Sequence, residues 1–137
     1  MTDTIHITQL TPDAFAPYGD LVDATGEPDM IINRGMCRRF HDRASINLAQ
    51  DDGRVGISVF KAMVRTLPYA LDMMERHPLG SQAFLPMSAD PFLVIVASDQ
   101  HGRPHEPKAF LTETGQGVNY HRGTWHGVLT PLHEPGL

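Results

Sequence analysis

Two histidines, His121 and His126, flank the dipeptide Arg122-Gly123 within the stretch Gly117 to Leu132, and their type and spacing suit them to chemistry. Imidazole titrates near neutral pH and is a common nitrogen ligand for metals, so two rings in one cavity can do acid–base work or hold an ion. Gly123 permits the positive φ of a tight turn, and a turn there is expected to aim both rings into the same space. The plainer reading, in which one ring packs and the other meets solvent, is equally open for so short a pattern.

A second group lies upstream. On a strand, Glu75 and His77 project to the same face, because residues two apart do. Gln82 follows the Pro78-Leu79-Gly80 bend and is expected to return on the neighbouring strand, sharing one cavity with Glu75 and His77. Glu75, His77 and Gln82 would then bring oxygen and imidazole donors without thiolate to one cavity, donor types that can hold a divalent metal. The alternative is a buried hydrogen-bond network with no metal. Among cations, Arg39 stands with Arg38 beside Phe40-His41-Asp42, where a solvated surface patch is favoured over an anion site. Lys61 interrupts an apolar run and is expected to face outward rather than into a pocket.

Short strands must position these groups. Thr4 to Gln9 alternates apolar and polar residues, as a half-buried strand does. Thr11-Pro12-Asp13 reads as a cap and first helical turn, stopped by Pro17, Tyr18 and Gly19. Strands are expected at Met30 to Asn33, Val55 to Val64 (after a turn at Asp51 to Arg54), Pro68 to Met74, Ala83 to Met87, Phe92 to Ala97 and Lys108 to Thr112. Phe92 to Ala97 is nearly continuous in apolar residues, the mark of burial on both faces. Ser98 to Pro107 reads as a polar loop, with His101 and His105 in solvent. Eight to ten short strands and almost no helical periodicity predict a mainly all-β protein, an antiparallel barrel or sandwich with one or two short helices.

Composition sets the bounds. A chain of 137 residues, 41% hydrophobic, is the size of one globular domain with its own core. A net charge of −5 argues against nucleic-acid partners. Cys37 is the single cysteine, which excludes a disulfide framework. The lack of a charged-then-apolar leader and of a membrane-length apolar run leads to the expectation of a cytoplasmic protein with no membrane partner.

The two site patterns resemble the paired motifs of the cupin superfamily. Glu75-Arg76-His77 with Gln82 matches His-x-His followed by four residues and Glu, changed at two of its three positions, and His121 to His126 matches Pro-x-Gly-x-x-His with His121 in place of proline. Longer stretches are similar to the ureidoglycolate lyase family of allantoin degradation: Ala14 to Asp20, Phe40 to Asp42, Glu75 to Met87 and Gly115 to His126. The resemblance implies a cupin-like barrel over residues 1–137 and a homodimer that cleaves (S)-ureidoglycolate to glyoxylate and urea. It also implies a divalent metal, nickel first and manganese or zinc after it, with a metal-free site as the other reading. His121, His126 and His77 become the candidate catalytic residues, Glu75, His77, Gln82 and His126 the metal set, and Arg122, Arg39, Gln82, Asn119 and Lys61 the candidate substrate-binding groups. Two departures stand out: Gly127 occupies a position where a second histidine is expected, and a final C-terminal strand is expected to be missing. Other metal-dependent cupin enzymes, an isomerase or dioxygenase, and a non-catalytic ligand-binding cupin remain as rival classes.

Overall fold

The computed structural model describes residues 5–137. Its elements in chain order are β1 (Ile7–Gln9), α1 (Pro12–Phe15), β2 (Gly19–Val22), β3 (Met30–Ile32), β4 (Cys37–Arg39) and β5 (Met74–Glu75). They continue with β6 (Gln82–Phe84), β7 (Phe92–Gln100), β8 (Arg103–Leu111), β9 (Gly117–Tyr120), β10 (Trp125–Gly127) and β11 (Thr130–Pro131). The mainly β architecture is as expected, and α1 is the helix the Thr11-Pro12 pattern signals. The Thr11 hydroxyl accepts from the Ala14 amide at 3.2 Å, which caps the single turn. Of the strand expected at Thr4 to Gln9, Thr4 lies outside the described residues.

Two sheets face each other. The larger runs β1-β8-β7-β10-β5, with β11 also bonded to β7, and the smaller runs β2-β9-β6. Strands β3 and β4 form a separate hairpin. All ladders are antiparallel except β1 with β8, a parallel pair and so a departure from the wholly antiparallel expectation. Strand β7 is the spine. Its Phe92, Val94 and Val96 join Phe15, Tyr18, Val118 and Tyr120 between the sheets, while Leu93 and Ile95 pack with Ala109 on the outer face. Each such side chain, once buried, contributes roughly 1.5–3 kcal/mol.

Three expectations fail for identifiable reasons. Ser98 to Pro107 is not a loop: β7 and β8 continue through it to a tight turn at His101-Gly102, both at positive φ. The residues there are polar because the hairpin extends beyond the core, where nothing selects an apolar face. Among the described residues Val55 to Val64 forms no strand ladder, although its composition suits one: Ala62 exchanges backbone hydrogen bonds with Leu137, and Val59 is 79% exposed. Pro68 to Met74 contributes an isolated bridge at Ala70 and the first residue of β5 rather than a strand of its own.

Candidate metal centre and the adjoining turn

Register places the cluster. His126 on β10 lies opposite Val96 of β7 on one side and Glu75 of β5 on the other. Directly opposed residues share a face, so His126 and Glu75 point with Val96 into the space between the sheets. His77 follows two residues after Glu75. Ligand atoms of Glu75, His77 and His126 lie within 4.8 Å of one another, with His77 Nε2 3.8 Å from Glu75 Oε1. The His77 and His126 rings sit 5.2 Å apart. His126 is buried, whereas Glu75 and His77 are about half exposed, so the cluster spans the boundary between core and solvent.

The opposite sheet supplies the second wall. The chain crosses from β5 to β6 through Pro78-Leu79-Gly80, so Gln82 arrives on the facing sheet and not on a neighbour of β5. There it lies opposite Tyr120 of β9, two residues from Phe84, on the interior face. Tyr120 stacks on His126 with ring centroids 4.4 Å apart and an interplanar angle of 3°. Burial pushes the Tyr120 hydroxyl well above the ordinary phenol range, so the ring is a neutral platform.

Two observations test the fit to a metal. His126 Nδ1–H donates to the Gly127 carbonyl at 3.0 Å, which leaves Nε2 as the lone-pair nitrogen, and that Nε2 is buried without a partner. Gln82 Oε1 is likewise buried and unpartnered. Unsatisfied buried acceptors are uncommon, and each is free to take up an ion or a water. Burial, seconded by the nearby His77, lowers the His126 pKa against the opposing Gly127 hydrogen bond and Glu75 charge, so the ring stays neutral as metal binding requires. Glu75, His77 and His126 therefore fit a divalent ion held by two imidazoles and one carboxylate. Gly127, where a histidine was expected, has its own reason: a Cβ there would sit 3.2 Å from Ile95 Cβ.

The turn after β9 separates the two histidines that the sequence suggested would converge. Gly123 has the anticipated positive φ of 79°. His121, however, follows the interior Tyr120 directly and turns the other way, and its Nε2 lies 3.1 Å from Asp20 Oδ1. Burial opposes ionisation of Asp20, but the Ser45 amide, Asn119 and His121 together hold its carboxyl below the usual range. Asn119 is fully buried on this outer face of β9 and donates to Asp20 Oδ2 and to the Ser45 carbonyl, both at 3.1 Å. It braces the network rather than lining the interior. His121 and Arg122 line an open cleft of about 470 Å³ with Ser45, Asn47 and Leu48. The same turn is fastened to the metal cluster: the Gly123 amide donates to the His77 carbonyl at 2.9 Å and Arg122 Nη1 to the Pro78 carbonyl at 3.3 Å.

Arg39 and Lys61 do not join either group. The Arg39 guanidinium meets His41 Nδ1 at 2.8 Å on the exposed β3–β4 hairpin, as the surface-patch reading anticipates. Lys61 is an exposed residue of the unladdered segment. Tyr120 and Asp20 are the participants that sequence reasoning missed. Tyr120 stood in the quoted motif, but only the strand register reveals its contact with His126.

Comparison with known proteins agrees with this arrangement. The ureidoglycolate lyase family model matches residues 2–137. A ureidoglycolate lyase from Rhodobacter capsulatus is 55% identical over 98% of this chain and 83% of its own length. Those from Chelativorans and Mesorhizobium japonicum are 53% and 51% identical, over 91% and 92% of this chain and 76% and 77% of their own lengths. No helix among the described residues is long and apolar enough to cross a membrane. The chain belongs to the ureidoglycolate lyase family.

Proposed function

We propose that this protein cleaves ureidoglycolate to glyoxylate and urea at the Glu75–His77–His126 cluster, facing Gln82. One observation carries the assignment of the site: His126 Nε2, freed by the Nδ1 bond to Gly127, is buried without a partner beside two further ligand groups within 4.8 Å. Ureidoglycolate is a carbinolamine, so its hydroxyl must lose a proton as the carbon–nitrogen bond breaks and the urea nitrogen must gain one. No water is consumed and nothing is oxidised.

Each residue takes a role that its environment suits. A divalent ion, nickel first and manganese or zinc after it, supplies Lewis acidity when bound by Glu75, His77, His126 and Gln82, lowering the pKa of the substrate hydroxyl. His77 is a ligand when an ion is bound and a base only when it is not: in the ion-free site its nitrogen takes the hydroxyl proton and returns it to the departing urea nitrogen. Arg122, tied to the His77 loop, receives the substrate carboxylate, and its planar fork suits that geometry. His121, oriented by Asp20, lines the cleft beside it. His126 remains neutral and holds position rather than moving a proton.

We also propose a homodimer. Val55, Ile57 and Val59 alternate in sequence with Gly56 and Ser58 and are mostly exposed, with Ile57 at 93%. Such an unpaired apolar strip invites a partner strand. A cytoplasmic location rests on composition alone, a single cysteine and no disulfide requirement. The deciding experiment incubates purified protein with ureidoglycolate, before and after chelation, and measures urea against ammonia. Urea in step with glyoxylate supports the lyase. Ammonia release overturns it in favour of a hydrolase, and full turnover after exhaustive chelation overturns the metal's part.

A further inference from the structure

Strand β5 is only two residues long and sits at the edge of the larger sheet, bonded to β10 alone. So short a ladder is a weak anchor for Glu75 and His77, both half exposed. Something else must fix their distance from His126. Alternation along the strands shows what does. Arg76 lies between Glu75 and His77, and Trp125 immediately precedes His126, so both project to the outer face while the ligands point inward.

On that outer face the Arg76 guanidinium lies 4.7 Å from the centroid of the Trp125 ring. Its Nη1 is 2.9 Å from Asp99 Oδ1, and Trp125 Nε1–H donates to the same oxygen at 2.9 Å. Asp99 belongs to β7, two residues beyond Ala97, which pairs with Trp125. Its other oxygen accepts from the Gly102 amide in the β7–β8 turn at 3.3 Å. One carboxylate thus ties β5 and β10 to the longest strand of the sheet. The Trp125 hydrogen bond, against a smaller opposing effect of desolvation, holds the Asp99 carboxyl below its usual range and so ionised. An exposed ion pair alone would contribute little. A carboxylate shared by two donors, one of them stacked as a cation on the other's ring, is a more directional restraint.

We propose that Arg76, Asp99 and Trp125 form an outer clamp that sets the spacing of Glu75 and His77 relative to His126, and that all three are positioning residues for the site. The inference rests on the proposed function only for what the inner cluster holds.

Nickel(II) alone is the probe, and Trp125 is the chain's single tryptophan, so its fluorescence can follow the titration in any variant that retains it. Asp99→Ala removes the shared acceptor and is expected to weaken nickel affinity about tenfold, the scale of lost outer-sphere support. Arg76→Lys keeps the charge but loses the fork and is expected to weaken it by a few-fold. Asp29→Asn, which removes an exposed ion pair with Arg43 elsewhere, serves as the control and should leave affinity unchanged. Measurements are made well below every variant's melting temperature, where a merely structural role would leave affinity intact. Affinities within twofold of wild type for both clamp variants, or an equal loss in the control, overturn the clamp. Should wild-type protein bind no nickel, the metal reading fails. The clamp is then judged by kcat for urea release: a tenfold fall in Asp99→Ala at unchanged KM supports it, and an unchanged kcat overturns it.

Discussion

Replacing His126 by alanine separates what the ring does for stability from what it does for chemistry. The ring is 2% exposed, stacks on Tyr120 and donates to the Gly127 carbonyl. Truncating a buried side chain of this size costs about 3 kcal/mol in lost packing and cavity, and the hydrogen bond adds about 1 kcal/mol. Against this, the variant no longer buries an unpartnered Nε2, which returns about 2 kcal/mol. The net cost is about 2 kcal/mol, a fall in Tm of roughly 6–8 °C for a domain of this size. A protein with 5–15 kcal/mol of stability, as domains of this kind have, stays folded at 25 °C after such a loss. Unfolding therefore cannot account for the expected fall in turnover of about 10²-fold or more, the scale of a lost ligand or acid–base group. Urea release at 25 °C and a circular-dichroism melt on the same samples check both numbers. Nickel should also raise the wild-type Tm and leave that of the variant unmoved. Turnover within threefold of wild type, or a variant unfolded at 25 °C, would refute the reasoning.

The remaining predictions concern the second wall, the outer network and the exposed strip. Gln82→Glu should tighten nickel binding by about tenfold, since a carboxylate replaces a neutral donor, while lowering the metal-free Tm. Calorimetric titration with paired melts reads both, and a higher metal-free Tm counts against the interior placement. Asp20 has a folded pKa below its ordinary value of 3.8, so its stabilising effect is full above that value and is lost as pH falls through the lower, folded one. Urea melts of Asp20→Asn should accordingly show a deficit against wild type at pH 7 that shrinks toward pH 3; a constant deficit would deny the linkage. Ile57→Lys should convert the proposed dimer to monomer by light scattering, and an unchanged mass removes this segment from the interface.

Burial on both faces of β7 was legible because Phe92 to Ala97 is apolar without interruption. Its continuation was not, since Ser98, Asp99 and Gln100 pair with His105, Pro104 and Arg103 outside the core, where polar residues and proline read as loop. Val55 to Val64 shows the converse. Its residues fit a pleated surface, but strand propensity describes side chains and says nothing of whether a partner strand lies within the same chain. At the site, the period of two correctly grouped Glu75 with His77. It failed for His121 because Tyr120 already occupies the interior position of β9, leaving its neighbour to face Asp20. Which sheet receives Gln82 depended on how far the Pro78–Gly80 bend carries the chain, and no local pattern encodes that.

The distribution of charge across the cluster explains why a neutral amide stands where the related motif has a carboxylate. Glu75 is half exposed, so water solvates its charge whether or not an ion is present. Position 82 is different: its Oε1 is buried with no protein donor. A glutamate there would carry an uncompensated buried charge whenever the metal is away, and would answer by taking up a proton or loosening the wall. Glutamine leaves only one unsatisfied neutral oxygen, a smaller penalty. His126 follows the same logic, since burial keeps it neutral and its single proton is committed to Gly127. The interior half of the cluster is therefore uncharged and the charged half is wet. On the proposed reading, such a site is expected to stay folded without an ion and to bind one more weakly than a set with a buried carboxylate would.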